Sequence, residues 1–182
     1  FRSERSGGGV YVVSTLGGPA RLIAAEGRGP RFSPDGKRLA YWTGQFRGQN
    51  VSSRLSSSFV VDLAGGTPTR LVPDFAFASN PVWTTDGRAV ILAGGPAPSA
   101  GGSDGVDWWR VPVDGGAPVK TGVRETALFR DVPAFAPAQV LADGVLFSFR
   151  DDLWRLRLDA TGRLDGQPQR LTLGVGPYVE PA

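Results

Sequence analysis

The chain has 182 residues, 20 basic against 17 acidic, and a formal charge of +3, with no cysteine and no histidine. Disulfides, thiolate nucleophiles and cysteine metal sites are therefore excluded, as are the serine–histidine–aspartate triad and the common zinc ligands. All the basic residues except Lys37 and Lys120 are arginine, and they are dispersed rather than gathered into the stripe that nucleic acid requires. No nucleic-acid partner is expected through this segment. The apolar runs fall far short of the roughly 18 residues of a membrane span.

Taken in order, residues 1–3 read as the exit of a second strand, 10–14 as a third and 20–24 as a fourth, closed by the turn Gly17-Gly18-Pro19-Ala20. A repeated phrase then begins. Residues 30–43 read PRFSPDGKRLAYWT, residues 81–93 read PVWTTDGRAVILA, and residues 138–149 hold a worn copy, AQVLADGVLFSF. Each is followed by a strand-like run, at 59–63, 108–113 and 153–158. Gly65-Gly66-Thr67-Pro68 and Gly115-Gly116-Ala117-Pro118 close the first two units. Self-similarity at roughly 50 residues, built of short strands, is the mark of sheets stacked side by side.

The first full unit divides into strands at 30–32, 38–42, 58–63 and 69–72, the second into 81–84, 89–92, 108–113 and 119–121, and the third into 139–141, 145–149, 153–158 and 169–172. In the last unit Trp154, Leu156 and Leu158 share one face with Asp152, while Arg155 and Arg157 take the other, a period of two. With 26 glycines and 15 prolines interrupting every long run, no helix is expected. The fold class is all-β: a β-propeller fragment of about three and a half four-stranded blades. It is one partial propeller over 1–182, with a half-blade at 1–24, blades at 30–72, 80–121 and 138–173, and the start of another at 178–182. The remaining blades are expected on a companion chain or in the rest of the same protein.

The pairs Asp35-Gly36, Asp86-Gly87 and Asp143-Gly144 are read as structural turns joining the first two strands of each blade in tight hairpins. Aspartate bonds nearby amides there and glycine takes positive φ. Ser33 is read as a hydrogen-bonding strand terminus. Arg28, Arg31 and Arg38 are assigned to solvated surface or structural pairs. Trp83, Trp108, Trp109 and Trp154 are assigned to packing between blades, with Trp108 and Trp109 facing opposite ways. Asp104, Asp107, Asp151 and Asp152 are the acids most like a hard-cation site, but they lack the ligand pattern of a calcium loop. Asp151-Asp152 is read as the turn before the third strand. No catalytic residue, metal or cofactor is expected.

Two connections exceed what blade closure needs, 44–57 and 94–106, and both leave the same rim. The first carries Phe46, Arg47, Asn50 and Arg54, the side chains best suited to binding. Loops held by a rigid scaffold are where binding residues concentrate.

Phe32-Ser33-Pro34-Asp35-Gly36-Lys37-Arg38-Leu39-Ala40-Tyr41, with Val60-Val61-Asp62-Leu63-Ala64-Gly65-Gly66 and Thr69-Arg70-Leu71, resembles the WD40-like repeat of TolB-type β-propellers. Val82-Trp83-Thr84-Thr85-Asp86-Gly87-Arg88 and Arg110-Val111-Pro112-Val113-Asp114-Gly115-Gly116 repeat it. The third copy departs at Ala142-Asp143-Gly144 and at Asp165-Gly166-Gln167-Pro168. The resemblance implies a bacterial six- or seven-bladed ring used for protein contact or sensing. It implies a periplasmic place beside the peptidoglycan-associated lipoprotein if the protein is TolB-like, and a cytoplasmic one if it is fused to a regulator or kinase. The alternatives are a propeller that gates substrate for a separate prolyl-oligopeptidase-type hydrolase, and a small-ligand-binding propeller.

Overall fold

The computed structural model describes residues 1–3, 8–44, 56–96, 106–129 and 136–172. Phe46, Arg47, Asn50, Arg54 and Asp104 lie outside the described residues, as does the strand start expected at 178–182. Fifteen strands are described, and the one helical element among these residues is a 3-10 turn at Val123–Glu125. The leading half-blade is β1 (Arg2–Ser3), β2 (Gly9–Val12) and β3 (Arg21–Ala25). The first blade is β4 (Arg28–Phe32), β5 (Arg38–Gly44), β6 (Ser56–Asp62) and β7 (Thr69–Arg70). The second is β8 (Phe77–Trp83), β9 (Ala89–Gly95), β10 (Asp107–Pro112) and β11 (Val119–Lys120). The third is β12 (Gln139–Leu141), β13 (Gly144–Phe149), β14 (Asp152–Leu156) and β15 (Gln169–Arg170).

Within each blade, successive strands pair antiparallel. One parallel bridge, Ser56 to Phe77, joins the first blade to the second. The apolar cores lie between the sheets. Val10 of the half-blade packs with Leu39, Tyr41 and Val61 of the first blade. Ala40, Val60 and Leu71 of the first blade meet Ala78, Trp83, Val90, Leu92 and Val111 of the second. Val82, Ile91, Ala93 and Trp108 of the second meet Val145, Phe147 and Leu156 of the third, with Val123 and Phe129 from the connection.

This arrangement explains why β9 reads as a continuous apolar run. All seven of its residues are buried. Val90 and Leu92 face the core shared with the first blade, while Ile91 and Ala93 face the core shared with the third. A strand buried on both faces has no polar side to alternate. Adjacent Trp108 and Trp109 separate in the same way, one packing in each core.

The first strands of two blades carry a bulge at the same place. In β4 the register shifts between Arg28 and Arg31, with Gly29 at φ 52; in β8 it shifts between Ser79 and Val82, with Asn80 at φ 51. The residue after each is a proline, Pro30 and Pro81. An unbulged strand would send Ala78 and Val82 to one face. The bulge sends Ala78 to one core and Val82 to the other.

Three expectations need correction. The Asp35 and Asp86 hairpins are five-residue connections, because Ser33 and Thr84 extend the turn with their own side-chain bonds to Arg38 and Ala89. The two-residue connection belongs to the third blade, at Ala142-Asp143. Asp152 is not turn but the first residue of β14. It is buried and paired with Arg170, while the turn is made by Arg150 and Asp151 at φ 49 and 65. Finally, β14 ends at Leu156, since Leu158 leaves the sheet to bridge Leu164 across a small hairpin.

Candidate functional site

The first strands of the three blades lie side by side, and beside their hairpins they leave a cleft of about 350 Å³. Arg31 enters from the first blade, Val82, Trp83, Thr84 and Thr85 come from the second, and Gln139 and Val140 from the third. Each is placed by its strand register. Leu39, Val90 and Val145 each face the core shared with the preceding sheet, and they pair with Phe32, Trp83 and Val140; the third hairpin runs one pair further, to Leu141 with Gly144. By the same register Arg31, Val82 and Gln139 occupy one equivalent station. The wall is fixed at Trp83, which is buried and donates its indole N–H to the Arg31 carbonyl at 2.9 Å.

The turns beneath the cleft are held internally. Ser33 Oγ lies 2.6 Å from Asp35 Oδ1 and accepts the Arg38 amide at 2.9 Å, while Asp35 also accepts the Lys37 amide. Thr84 Oγ1 repeats this with Asp86 at 2.6 Å and the Ala89 amide at 3.1 Å, and Asp86 accepts the Arg88 amide. The hydroxyl bond, reinforced by the backbone amide, lowers the carboxyl pKa of both Asp35 and Asp86. Gly36 and Gly87 take φ of 69 and 66 to close these turns. Asp143 instead pairs with Arg155, and Gly144 sits at φ 153 where a Cβ would strike the Leu156 carbonyl.

Other charged groups lie in an adjoining cleft that shares Thr84, Thr85 and Val140 with this one. This second cleft, of about 340 Å³ between the second and third blades, brings together Asp86, Asp143, Asp159, Arg110 and Arg157. Asp107 is buried, and desolvation pushes its carboxyl pKa up despite bonds from the Thr121 hydroxyl at 2.9 Å and the Trp108 amide at 2.7 Å. The Lys120 ammonium stands 3.7 Å away. Asp152 occupies the same station in the third blade and meets Arg170 and the Thr172 hydroxyl. Both carboxylates tie a third strand to a fourth. No group of three or more potential metal-ligating side chains occurs among the described residues.

Trp154 packs half-buried against the third core and donates to the Phe149 carbonyl at 3.2 Å. Trp109 donates to the Gly94 carbonyl at 3.0 Å. Arg28 stacks on Trp42 at 5.8 Å, and Arg38 on Trp83 at 5.2 Å. What the sequence reading missed is the difference among these arginines. Arg38 fastens two blades, whereas Arg31 lines the cleft. The available signal was positional: only the first copy of the phrase has an arginine at either station.

No protein-family model matches the sequence, and no curated protein sequence matches it. Solved structures do. TolB from Acinetobacter baumannii superposes with a TM-score of 0.59 at 19% identity, over 94% of this chain and 39% of that one. A structure assigned to TolB from Agrobacterium tumefaciens gives 0.58 at 21% identity, over 92% of this chain and 57% of that one. The chain thus spans well under two thirds of the length of either. Identities this low speak to the fold alone, and the chain has the β-propeller fold seen in TolB.

Proposed function

We propose that this chain is a non-catalytic part of a propeller that serves as a scaffold for protein–protein contact or sensing within a larger bacterial protein. The supporting observation is how its polar groups are spent. The turn aspartates Asp35, Asp86 and Asp159 are bound by their own loops, and the buried Asp107 and Asp152 hold strands together. The sequence has no histidine and no cysteine, so it lacks the usual near-neutral base and the thiol nucleophile. The inner-strand cleft offers a rigid concave face of mixed polarity, which suits a protein ligand. No described helix is long and apolar enough to cross a membrane.

A photo-crosslinking amino acid placed at Gln139 in the cleft, and in a control protein at Thr67 in an outer turn, tests this. Exposed to lysate of the source cell, the Gln139 probe is expected to give a discrete protein adduct that the Thr67 probe does not. No adduct from the cleft, together with turnover of chromogenic ester or aminoacyl substrates by the purified protein, would replace the scaffold reading with an enzymatic one.

A further inference from the structure

The cleft carries one charge, and it is unanswered. Among its lining residues only Arg31 is ionised; the rest supply a hydroxyl from Thr85, an amide from Gln139, and apolar surface from Phe32, Trp83 and Val140. Among the described residues the Arg31 guanidinium makes no ion pair and no side-chain hydrogen bond, whereas its neighbour Arg38 is bound to Asp114 and to the Gly87 carbonyl. Arg31 also departs from its own repeat. The equivalent stations hold Val82, packed in a core, and Gln139. A blade of this kind therefore folds without a cation there.

We propose that Arg31 is a recognition residue for a carboxylate: the cleft takes an extended protein segment bearing an aspartate or glutamate next to an apolar side chain. This rests on the protein-contact reading above and adds the partner's chemistry. A guanidinium offers paired N–H donors that match a carboxylate, and a half-buried position strengthens the pair. The apolar side chain next to the acid meets Phe32, Trp83 and Val140, and Thr85 and Gln139 flank its backbone. A nucleic-acid strand is disfavoured on the same grounds. It would need several cations along its phosphates, and the cleft offers one cation over an apolar floor.

The test is an array of immobilised nonapeptides with a central Leu-Asp-Leu, Leu-Asn-Leu or Leu-Lys-Leu, probed with the protein and with three variants. Arg31→Val and Arg31→Gln install residues that the other blades carry at this station, so both are expected to fold with unchanged far-ultraviolet spectra. Wild type is expected to prefer the aspartate peptides over their asparagine analogues by about tenfold, the scale of one charge-assisted hydrogen bond. Both neutral variants should lose that preference, and Arg31→Glu should move it to the lysine peptides. Equal binding of aspartate and asparagine peptides by wild type, an undiminished preference in Arg31→Val, or Arg31-dependent retention of a single-stranded oligonucleotide in place of peptide would each overturn the proposal. If the array fails while the Gln139 crosslink persists, the scaffold reading stands and the carboxylate preference falls. If both fail, so does the scaffold reading.

Discussion

The seam between the first and second blades and the seam between the second and third bury similar apolar side chains, yet they are fastened differently. At the first of these seams Arg38 leaves β5, stacks on Trp83, donates to the Gly87 carbonyl at 2.8 Å and pairs with Asp114 at 2.8 Å. At the second, Ala89 stands at the station of Arg38, and a charged cleft remains where that clasp would lie. That seam is closed by other means. Trp108, Phe147 and Phe129 form an edge-to-face cluster, and the small hairpin of the third blade reaches back so that the Leu164 amide donates to the Thr121 carbonyl at 2.8 Å. The seam with the half-blade uses a third device, Arg21 donating to the Leu63 carbonyl at 2.7 Å. A repeat conserves its sheets because every blade must bury both faces. It is free to vary the fasteners because any single cross-seam bond contributes only modestly.

Removing each seam's principal side chain separates the two kinds of fastening. Trp108 is 1% exposed, so Trp108→Ala should cost about 3–5 kcal/mol as a large aromatic lost from a core. Arg38→Ala should cost less, about 1–3 kcal/mol, through one charged hydrogen bond and one cation–π contact. Chemical denaturation of both variants checks the order. A double-mutant cycle of Arg38→Ala with Asp114→Ala refines it. The Asp114 side chain is 75% exposed, so the coupling should stay below about 1 kcal/mol, with most of the Arg38 effect lying in Gly87 and Trp83. If Arg38→Ala proves the costlier of the two, the polar clasp rather than aromatic packing governs seam strength.

The blades were readable and the seams were not. The phrase around Asp35 and Asp86 encodes its hairpin locally: Ser33 or Thr84, the aspartate and the glycine sit within five residues and bond one another. Each copy therefore announces a blade. The Trp83 and Trp154 assignments followed from strand position. The fasteners join residues far apart in sequence, Arg38 with Asp114 and Thr121 with Leu164, and no local pattern marks such a pair. The strand position of Asp152 is hidden for the same reason. A carboxylate beside Asp151 looks like turn until Arg170, on the neighbouring strand, supplies the charge that lets it be buried. Arg31 reads like its neighbours in sequence because its distinction, a cation with no described ion pair in a cleft, exists only once three strands converge.

The turns extend the comparison at smaller magnitude. Thr84→Val keeps the shape but removes a hydroxyl bonded to Asp86 and to both backbone groups of Ala89, and should cost about 1–2 kcal/mol. Acid should act through the same groups. Asp35, Asp86 and Asp159 have lowered pKa values, first because of the hydroxyls of Ser33, Thr84 and Thr161. Their contribution is present above the unfolded carboxyl value and is lost as pH falls through their folded values. Asp107 is raised by burial, so its stabilising effect appears as pH falls, when the folded state takes up a proton more readily than the unfolded one. Asp107→Asn should therefore lose stability more steeply than wild type on acidification from pH 6 toward pH 3, as followed by thermal melts. An equal or shallower slope would mean that Asp107 is not held above its ordinary range.

The smallest effect is expected at Asp143, where the third copy of the phrase departs from the other two. Asp143 is 56% exposed and has traded the internal turn network for an ion pair with Arg155, which also donates to Gln169. An ion pair that open to water is screened and gains little over solvation, so Asp143→Asn should change stability by less than about 1 kcal/mol. The difference should shrink further on raising the salt concentration, since no buried bond depends on it. Thr84→Val should keep its cost in salt, because its hydrogen bonds are short, local and partly buried. Denaturation of the two variants at low and high ionic strength separates them. If Asp143→Asn costs as much as Thr84→Val at high salt, the third turn is as strongly built as the other two, and its departure from the repeated phrase is compensated rather than relaxed.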